Sequence, residues 1–238
     1  MFTVALIGAD GAGKSTVGQR VASTLSFPIR YLYMGDNPDA ANRTLPTQRL
    51  LRLLRRRPAS GARAGAPPDP SRPAPRPVGA LPRLRAAAKA AARLAIRLSE
   101  EWFRQGLAWY YQRRGFIVLF DRHFFADYYA HHIAPAAPGL RMSDRIHGLL
   151  LARLYPRPDL VICLDAPAEV LFARKPEGTV EALERRRREY FQIQYLVPHF
   201  AVVDASRPAQ EVVRDVTALI EQVYRQTVRR RPAASPAP

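Results

Sequence analysis

The sequence predicts an α/β fold, a three-layer sandwich built on a mainly parallel five-stranded sheet. Two observations predict it. Short apolar runs such as 2–7 and 116–120 lack the polar alternation of a half-exposed strand, as expected for strands buried on both faces of a parallel sheet. The first run, at 2–7, ends in a glycine-rich turn that opens a helical pattern, which is how an α/β unit begins.

Strands and helices alternate along the rest of the chain. Val17, Val21 and Leu25 stand at helical spacing after the glycine turn. Four further strands are predicted at 29–34, 116–120, 160–165 and 200–203. Helices are predicted at 83–113, 146–154, 167–174, 180–195 and 208–226. This order predicts a single domain over 1–226, followed by a disordered tail at 227–238.

One basic, proline-rich segment interrupts the pattern. Residues 58–82 contain eight prolines and few apolar groups, so we expect a disordered insertion. Residues 49–97 hold 13 Lys or Arg and one acid, Asp69, and therefore carry +12 of the net charge of +17. One interpretation is an arm that attracts nucleic acid or another polyanion. A solvated linker is favoured, because 49–97 lacks the aromatic residues expected for single-strand binding.

Composition also bears on location and partners. No apolar run approaches the roughly 20 residues needed to cross a bilayer. The single cysteine, Cys163, cannot form an internal disulfide, and the first residues lack the basic region of a secretory signal. These features predict a cytoplasmic protein without a membrane span. A homodimer is left open.

The glycine turn carries the most informative motif. The sequence Gly-Ala-Asp-Gly-Ala-Gly-Lys-Ser at 8–15 matches G-x-x-x-x-G-K-[ST] at every fixed position, between a buried strand and a helix. In this context the loop amides and the helix N-terminus bind phosphate oxygens, Lys14 reaches the β- and γ-phosphates, and the Ser15 hydroxyl ligates Mg²⁺. The other interpretation is a glycine turn that happens to contain Lys-Ser. The motif predicts ATP and Mg²⁺ as cofactors, with nucleotide contacts from Gly8, Gly11, Ala12, Gly13, Lys14, Ser15 and Thr16.

An aspartate inside this loop needs its own explanation. No phosphate-binding loop requires a carboxylate, and Asp10 would repel an anionic ligand. A substrate hydroxyl or a bound cation would account for Asp10. The alternative is an acid that faces solvent.

Four motifs give the chain a resemblance to the thymidylate kinase family and related nucleoside and nucleotide kinases. The loop at 8–16 is similar to the family's D-G-x-G-K-S/T form, and Asp-Arg-His at 121–123 is similar to its D-R-[YFH] motif. Residues 158–167 resemble the P-D-L…L-D-x-P strand, and residues 203–208 resemble I-D-A-S-x-P. The motifs occur in the family's order and cover nearly the whole chain outside 55–82 and the tail.

The resemblance implies roles for the matching residues. Asp121 would lie near Mg²⁺ and the acceptor oxygen, Arg122 would bind the acceptor's phosphate, and Asp10 would contact a sugar hydroxyl. Residues 205–208, which include Ser206 and Arg207, would border the adenine of ATP.

A lid region is implied at about 168–195, between the fourth and fifth strands. It contains Arg174 and four consecutive arginines at 185–188. Consecutive residues diverge by about 100° on a helix, so at most two of the four can face ATP. We favour Arg174 over any single member of the run. The residues predicted to be catalytic are Lys14, Asp121, Arg122 and Arg174, those predicted to bind substrate are Asp10 and Arg122, and those predicted to bind metal are Ser15 and Asp121.

The sequence therefore predicts an ATP-dependent phosphotransferase that acts on a nucleoside monophosphate. The family's arginine-glutamate-proline-glycine segment after the second strand is replaced here by Tyr-Met-Gly-Asp-Asn-Pro at 33–38, so the acceptor is not fixed by the resemblance. Kinases of nucleosides or other small hydroxyl compounds are an alternative, as is a non-catalytic nucleotide-binding protein with a polyanion-binding arm. Aromatic residues such as Tyr31 and Tyr33 could stack on a base, although packing is their more common role.

Overall fold

The computed structural model describes residues 2–34, 79–123 and 142–230. The chain divides into two compact units, one made of Met1–Arg43 with Arg104–Pro238 and the other of Thr44–Phe103. The described part of the second unit is 79–103, which is helical from Ala80 onward. Most of the predicted insertion, 58–78, lies outside the described residues. The single domain over 1–226 therefore stays a prediction.

Five strands and six helices are described. The strands are β1 (Thr3–Ile7), β2 (Ile29–Tyr33), β3 (Ile117–Asp121), β4 (Leu160–Asp165) and β5 (His199–Asp204). The helices are α1 (Lys14–Thr24), α2 (Ala80–Arg113), α3 (Met142–Leu154), α4 (Ala168–Arg174), α5 (Val180–Phe191) and α6 (Ala209–Arg230), and a 3₁₀ turn (Gln192–Tyr195) follows α5.

The strands form one parallel sheet in the order β2-β3-β1-β4-β5. From β1 the chain first builds one side of the sheet, with β2 and β3, and then crosses to build the other side. Because β1 lies between β3 and β4, the loop after β1 sits where the strand order reverses. In open α/β sheets, ligands bind at this point, outside the carboxyl ends of the strands.

Helices cover both faces of the sheet. Leu6 of β1 packs in one buried cluster with Val21 of α1 and Val216 of α6. Ile7 points to the opposite face, where its cluster includes Leu151 of α3. The alternation along β1 thus feeds two separate cores, as expected for a strand buried on both faces. The predicted α/β class with a five-stranded parallel sheet is confirmed.

Two predicted disordered boundaries are wrong by a few residues. Residues 80–82 were expected to be disordered, but α2 begins at Ala80, because Pro82 lies in the first helical turn, where a missing N–H is tolerated. Residues 227–230 were expected to belong to the tail, but α6 continues to Arg230. No glycine or proline interrupts that sequence before Pro232, so nothing ends the helix earlier.

Among the described helices, none is long and apolar enough to cross a membrane.

Candidate active site

The loop at 8–15 leaves β1 at the reversal point of the strand order and leads directly into α1. Gly13 caps α1 with φ 80°, and Gly11 has φ 89°. A Cβ atom on Gly11 would lie 2.5 Å from the carbonyl oxygen of Leu171 in α4, closer than real contacts allow. The loop therefore lies tightly against α4 at Gly11, and only glycine combines this backbone conformation with that approach.

Lys14, the first residue of α1, is held over the loop that precedes it. Its side chain is buried, and Nζ donates hydrogen bonds to the carbonyl oxygens of Gly8 (2.8 Å) and Ala9 (2.9 Å). A buried ammonium group is stable only when it is well hydrogen-bonded. The loop thus carries a positive charge on its inner side, next to the N-terminal end of the helix dipole.

Asp121 lies at the carboxyl end of β3, paired in register with Leu6 of β1, and is fully buried. Its Oδ2 atom accepts hydrogen bonds from the Ser15 hydroxyl (2.5 Å) and the Tyr31 hydroxyl (2.6 Å). Burial and this carboxylate raise the pKa of Tyr31 well above its usual value, so the phenol stays protonated and donates. The other oxygen, Oδ1, is buried and has no hydrogen-bond partner among the described residues.

Asp10 joins two arginines that come from different elements. Arg122 follows β3 with φ 67°, and its Nη2 donates to Asp10 Oδ1 at 2.7 Å. Arg186 of α5 donates from Nη1 to Asp10 Oδ2 at 2.9 Å. Burial alone would raise the pKa of Asp10, but the charges of Lys14, Arg122 and Arg186 together lower it to about 2. Asp10 is therefore ionised at neutral pH and shares its charge between two guanidinium groups.

Helix α5 is fixed to the end of β4 by the next arginine of the run. Arg187 donates to both oxygens of Asp165, each at 2.7 Å, and also to Glu184 at 2.5 Å. Hydrogen bonding to Asp165 raises the pKa of Arg187 above its usual value, although burial opposes the shift. The other two arginines of the run, Arg185 and Arg188, are both 74% exposed. Two members of the run thus face the site and two face solvent.

The remaining predicted residues lie on the other side of the loop. Arg174, at the end of α4, donates to the carbonyl oxygens of Ala205 (2.7 Å) and Ser206 (3.1 Å). Arg207 is held by an ion pair with Asp215 of α6. Between the loop and this segment is an open cleft of about 290 Å³, lined by residues that include Gly13, Thr16, Arg174, Ala205, Arg207 and Val212.

The donor set beside Ser15 fits a magnesium ion. A buried carboxylate oxygen without a partner calls for an explanation, and binding of an ion or water is one. Mg²⁺ prefers oxygen ligands and binds through one or two protein groups together with substrate phosphates. The described residues contain no group of three His, Cys, Asp or Glu side chains that could hold a metal by themselves. Ser15 and Asp121 therefore suit a cation shared with a phosphate.

All the predicted site residues fall within the described part of the chain, and they form two groups. Lys14, Ser15, Asp10, Asp121 and Arg122 surround the loop and the end of β3. Arg174 and Arg207 line the cleft on the far side of the loop, and Ser206 lies between the lining residues Ala205 and Arg207 in the chain. Their predicted catalytic and binding roles stay predictions.

Three contributors were not identified from the sequence. Tyr31 was considered only for stacking or packing, and no spacing signal links it to Asp121. Arg186 could not be distinguished from its three neighbours, and Asp165 was recognised as the end of the fourth strand and part of a family motif but was given no role. Which of the four arginines face the site depends on how α5 is oriented on the sheet, and the sequence does not give that orientation.

Three known proteins similar to this chain are named as thymidylate kinases or probable thymidylate kinases. No protein-family model matches the chain. The chain is 35% identical over 117 residues to a probable thymidylate kinase of Pyrobaculum calidifontis, a match that covers 46% of this chain and 56% of that protein. It is 31% identical over 119 residues to a probable thymidylate kinase of Pyrobaculum aerophilum, covering 48% and 58%. A thymidylate kinase of Symbiobacterium thermophilum is 38% identical over 76 residues, covering 28% and 36%.

The matches to the two Pyrobaculum proteins cover 56% and 58% of those proteins, so this chain spans little more than half of their length. Over about half of this chain, the predicted resemblance is confirmed: these relatives support a thymidylate kinase-like family for it.

Proposed function

We propose that the protein transfers the γ-phosphoryl group of ATP to a nucleoside monophosphate, with thymidylate as the acceptor suggested by the names of its relatives. One observation carries the proposal. A phosphate-type loop, a buried carboxylate at the end of β3 and two arginines joined by one aspartate meet at the reversal point of the sheet. Phosphoryl transfer depends mainly on positioning and on stabilising charge, and these are the groups that supply both.

The donor nucleotide would bind along the loop. Its terminal phosphates would take hydrogen bonds from the loop amides and lie beside Lys14, whose ammonium group is already held at the loop. The base would enter the cleft next to Arg207 and Ala205. Arg174 supports this wall of the cleft through the carbonyl oxygens of Ala205 and Ser206, which gives it a positioning role.

Ser15 and Asp121 would hold Mg²⁺, as their oxygen atoms and the unpartnered Oδ1 allow. When bound, the ion neutralises phosphate charge during transfer. The protein's own contribution is to keep both oxygen donors at one end of the sheet, and the Ser15 proton is directed to Asp121, which leaves the serine lone pairs available to a ligand.

The acceptor would bind at the pair of arginines. Arg122 and Arg186 both contact Asp10, so two guanidinium groups from different elements lie close together at this point of the site. Two neighbouring guanidinium groups suit the phosphate of a monophosphate, because arginine binds phosphate oxygens in a forked geometry. The sequence favoured Arg174 as the lid arginine, but Arg174 donates to the carbonyl oxygens of Ala205 and Ser206. We therefore propose Arg186 of α5, which contacts Asp10, near the transferred group instead.

The proposal is tested with matched pairs of acceptors. Purified protein is given Mg·ATP and a panel of nucleoside monophosphates, each beside the nucleoside that lacks the phosphate, and ADP release is followed by a coupled assay. We expect turnover of at least one monophosphate and a rate for its nucleoside at least 100-fold lower, because the nucleoside has no phosphate for the arginine pair to bind.

Two results would contradict the proposal. Equal turnover of nucleoside and monophosphate would favour a kinase of hydroxyl compounds. ATP binding without turnover of any acceptor would favour a non-catalytic nucleotide-binding protein. The segment 33–38, where the family's sequence is replaced, lies outside the described residues from 35 onward and would be the first place to look for an unexpected acceptor.

A further inference from the structure

The ring of Tyr31 packs against the core, but its hydroxyl makes a contact in the site that packing does not explain. Its hydroxyl donates to Asp121 Oδ2 at 2.6 Å, beside the Ser15 hydroxyl, which donates to the same atom at 2.5 Å. One carboxylate oxygen thus receives two hydroxyl protons. The other oxygen, Oδ1, is buried and has no partner among the described residues.

The sheet geometry explains why a tyrosine is needed at this position. Tyr31 pairs in register with Leu119, and Tyr33 pairs with Asp121, so the Tyr31 side chain begins one full pleat before the carboxylate that it contacts. Two residues along a strand span about 6 to 7 Å. Serine or threonine at position 31 could not cover that distance, and phenylalanine could cover it but could not donate.

The facing helix is adapted to the ring of Tyr31. Gly18 lies inside α1, where glycine is unfavourable for helix stability. A Cβ atom on Gly18 would lie 2.9 Å from Cε2 of Tyr31 and 3.3 Å from Cδ1 of Leu6. Glycine at position 18 therefore leaves the space that the ring occupies on its way to Asp121.

We infer that Tyr31 is a positioning residue that fixes the Asp121 carboxylate for a divalent cation, holding Oδ2 with its hydroxyl so that Oδ1 is left for the ion. The inference rests on the proposed function, because it takes Ser15 and Asp121 as the cation-binding pair. Groups that orient metal ligands through hydrogen bonds commonly change metal affinity by 10- to 100-fold when they are removed.

The experiment separates the cation from the nucleotide. The affinity for a fluorescent ADP is measured twice, once in EDTA and once with excess Mn²⁺, and the ratio of the two affinities gives the gain due to the cation. For Tyr31→Phe we expect the gain to fall about 10-fold or more, with the affinity in EDTA unchanged. Gly18→Ala should also reduce the gain, because the added methyl group displaces the ring of Tyr31.

Tyr224→Phe is the matched control. Tyr224 packs its ring against Phe2 and Phe27, away from the loop, so loss of its hydroxyl should leave the Mn²⁺ gain at the native value. An unfolding temperature recorded for each variant identifies general destabilisation.

Several outcomes would overturn the inference. A Tyr31→Phe protein with the native gain or a larger one would do so, as would equal loss of affinity in EDTA and in Mn²⁺, which indicates a purely structural role. If the native protein binds ADP with the same affinity in EDTA and in Mn²⁺, the inference is overturned, whereas nucleotide binding itself is supported. A native protein that binds no ADP under either condition would overturn the proposed function as well.

Discussion

Replacing two loop glycines with alanine tests the geometry of the loop. Gly11 and Gly13 both have a positive φ, 89° and 80°. An alanine in this left-handed region costs about 1 kcal/mol at either position. The positions differ in what a Cβ atom would meet: at Gly13 nothing lies within 4 Å, whereas at Gly11 the carbonyl oxygen of Leu171 lies at 2.5 Å.

The expected losses therefore differ. Gly13→Ala should lower the free energy of unfolding by about 1 kcal/mol, the conformational cost alone. Gly11→Ala adds a clash with backbone that cannot rotate away, so α4 must shift, and overpacking of this kind costs about 1 to 3 kcal/mol more. The total for Gly11→Ala is then about 3 kcal/mol.

Urea unfolding followed by circular dichroism, without nucleotide, measures both losses under the same conditions. An unchanged denaturant slope would show that the midpoint shift reports stability. Equal losses for the two variants, or a larger loss for Gly13→Ala, would refute the packing of the loop against α4.

The remaining predictions concern charge in the site. Lys14→Ala should lower turnover by roughly 100- to 1000-fold in the coupled assay, because the ammonium group stabilises phosphate charge, and near-native turnover would contradict its role. Arg186→Ala should lower turnover by at least 100-fold, whereas Arg185→Ala, at an exposed neighbouring position, should keep turnover within about twofold of the native rate. Equal effects of the two substitutions would contradict the role proposed for Arg186. The pKa of Asp10 is about 2 against a usual value of 3.8, so its ionised form stabilises the fold above pH 4 and that contribution is lost as the pH falls towards 2. Asp10→Asn should therefore lower the free energy of unfolding in urea by about 1 kcal/mol at pH 6, after allowance for solvent screening, and by less at pH 3. An equal loss at both pH values would contradict stabilisation by the ionised carboxylate.

The sequence was sufficient for the sheet because the three central strands, β1, β3 and β4, are buried on both faces. Continuous apolar runs such as 160–164 and 117–120 suit strands in the interior of a parallel sheet. The predicted strand boundaries agree with the observed ones within one or two residues. Helix ends were less predictable, because α2 begins before a proline that its first turn tolerates. The exposed faces of α2 also could not be read from spacing: Trp109 is 41% exposed, while Arg104 and Gln105 are buried.

The site was only partly predictable because contacts across elements depend on orientation. Helical geometry alone limits the four arginines to two that face inward, and Arg186 and Arg187 are the two that contact carboxylates at the loop and at β4. Which two face inward depends on how α5 packs on the sheet. The contact of Tyr31 with Asp121 depends on strand register and on the absence of a side chain at Gly18, neither of which a local pattern reveals.

Calorimetry of Mg·ATP binding addresses the loop at 8–15 most directly. We predict uptake of one ATP per chain by the native protein, with the affinity reduced at least 100-fold in Lys14→Ala, since the loop amides and the Lys14 ammonium group bind the terminal phosphates together. Absence of any heat of binding with the folded native protein, or an unchanged affinity in Lys14→Ala, would contradict nucleotide binding at this loop.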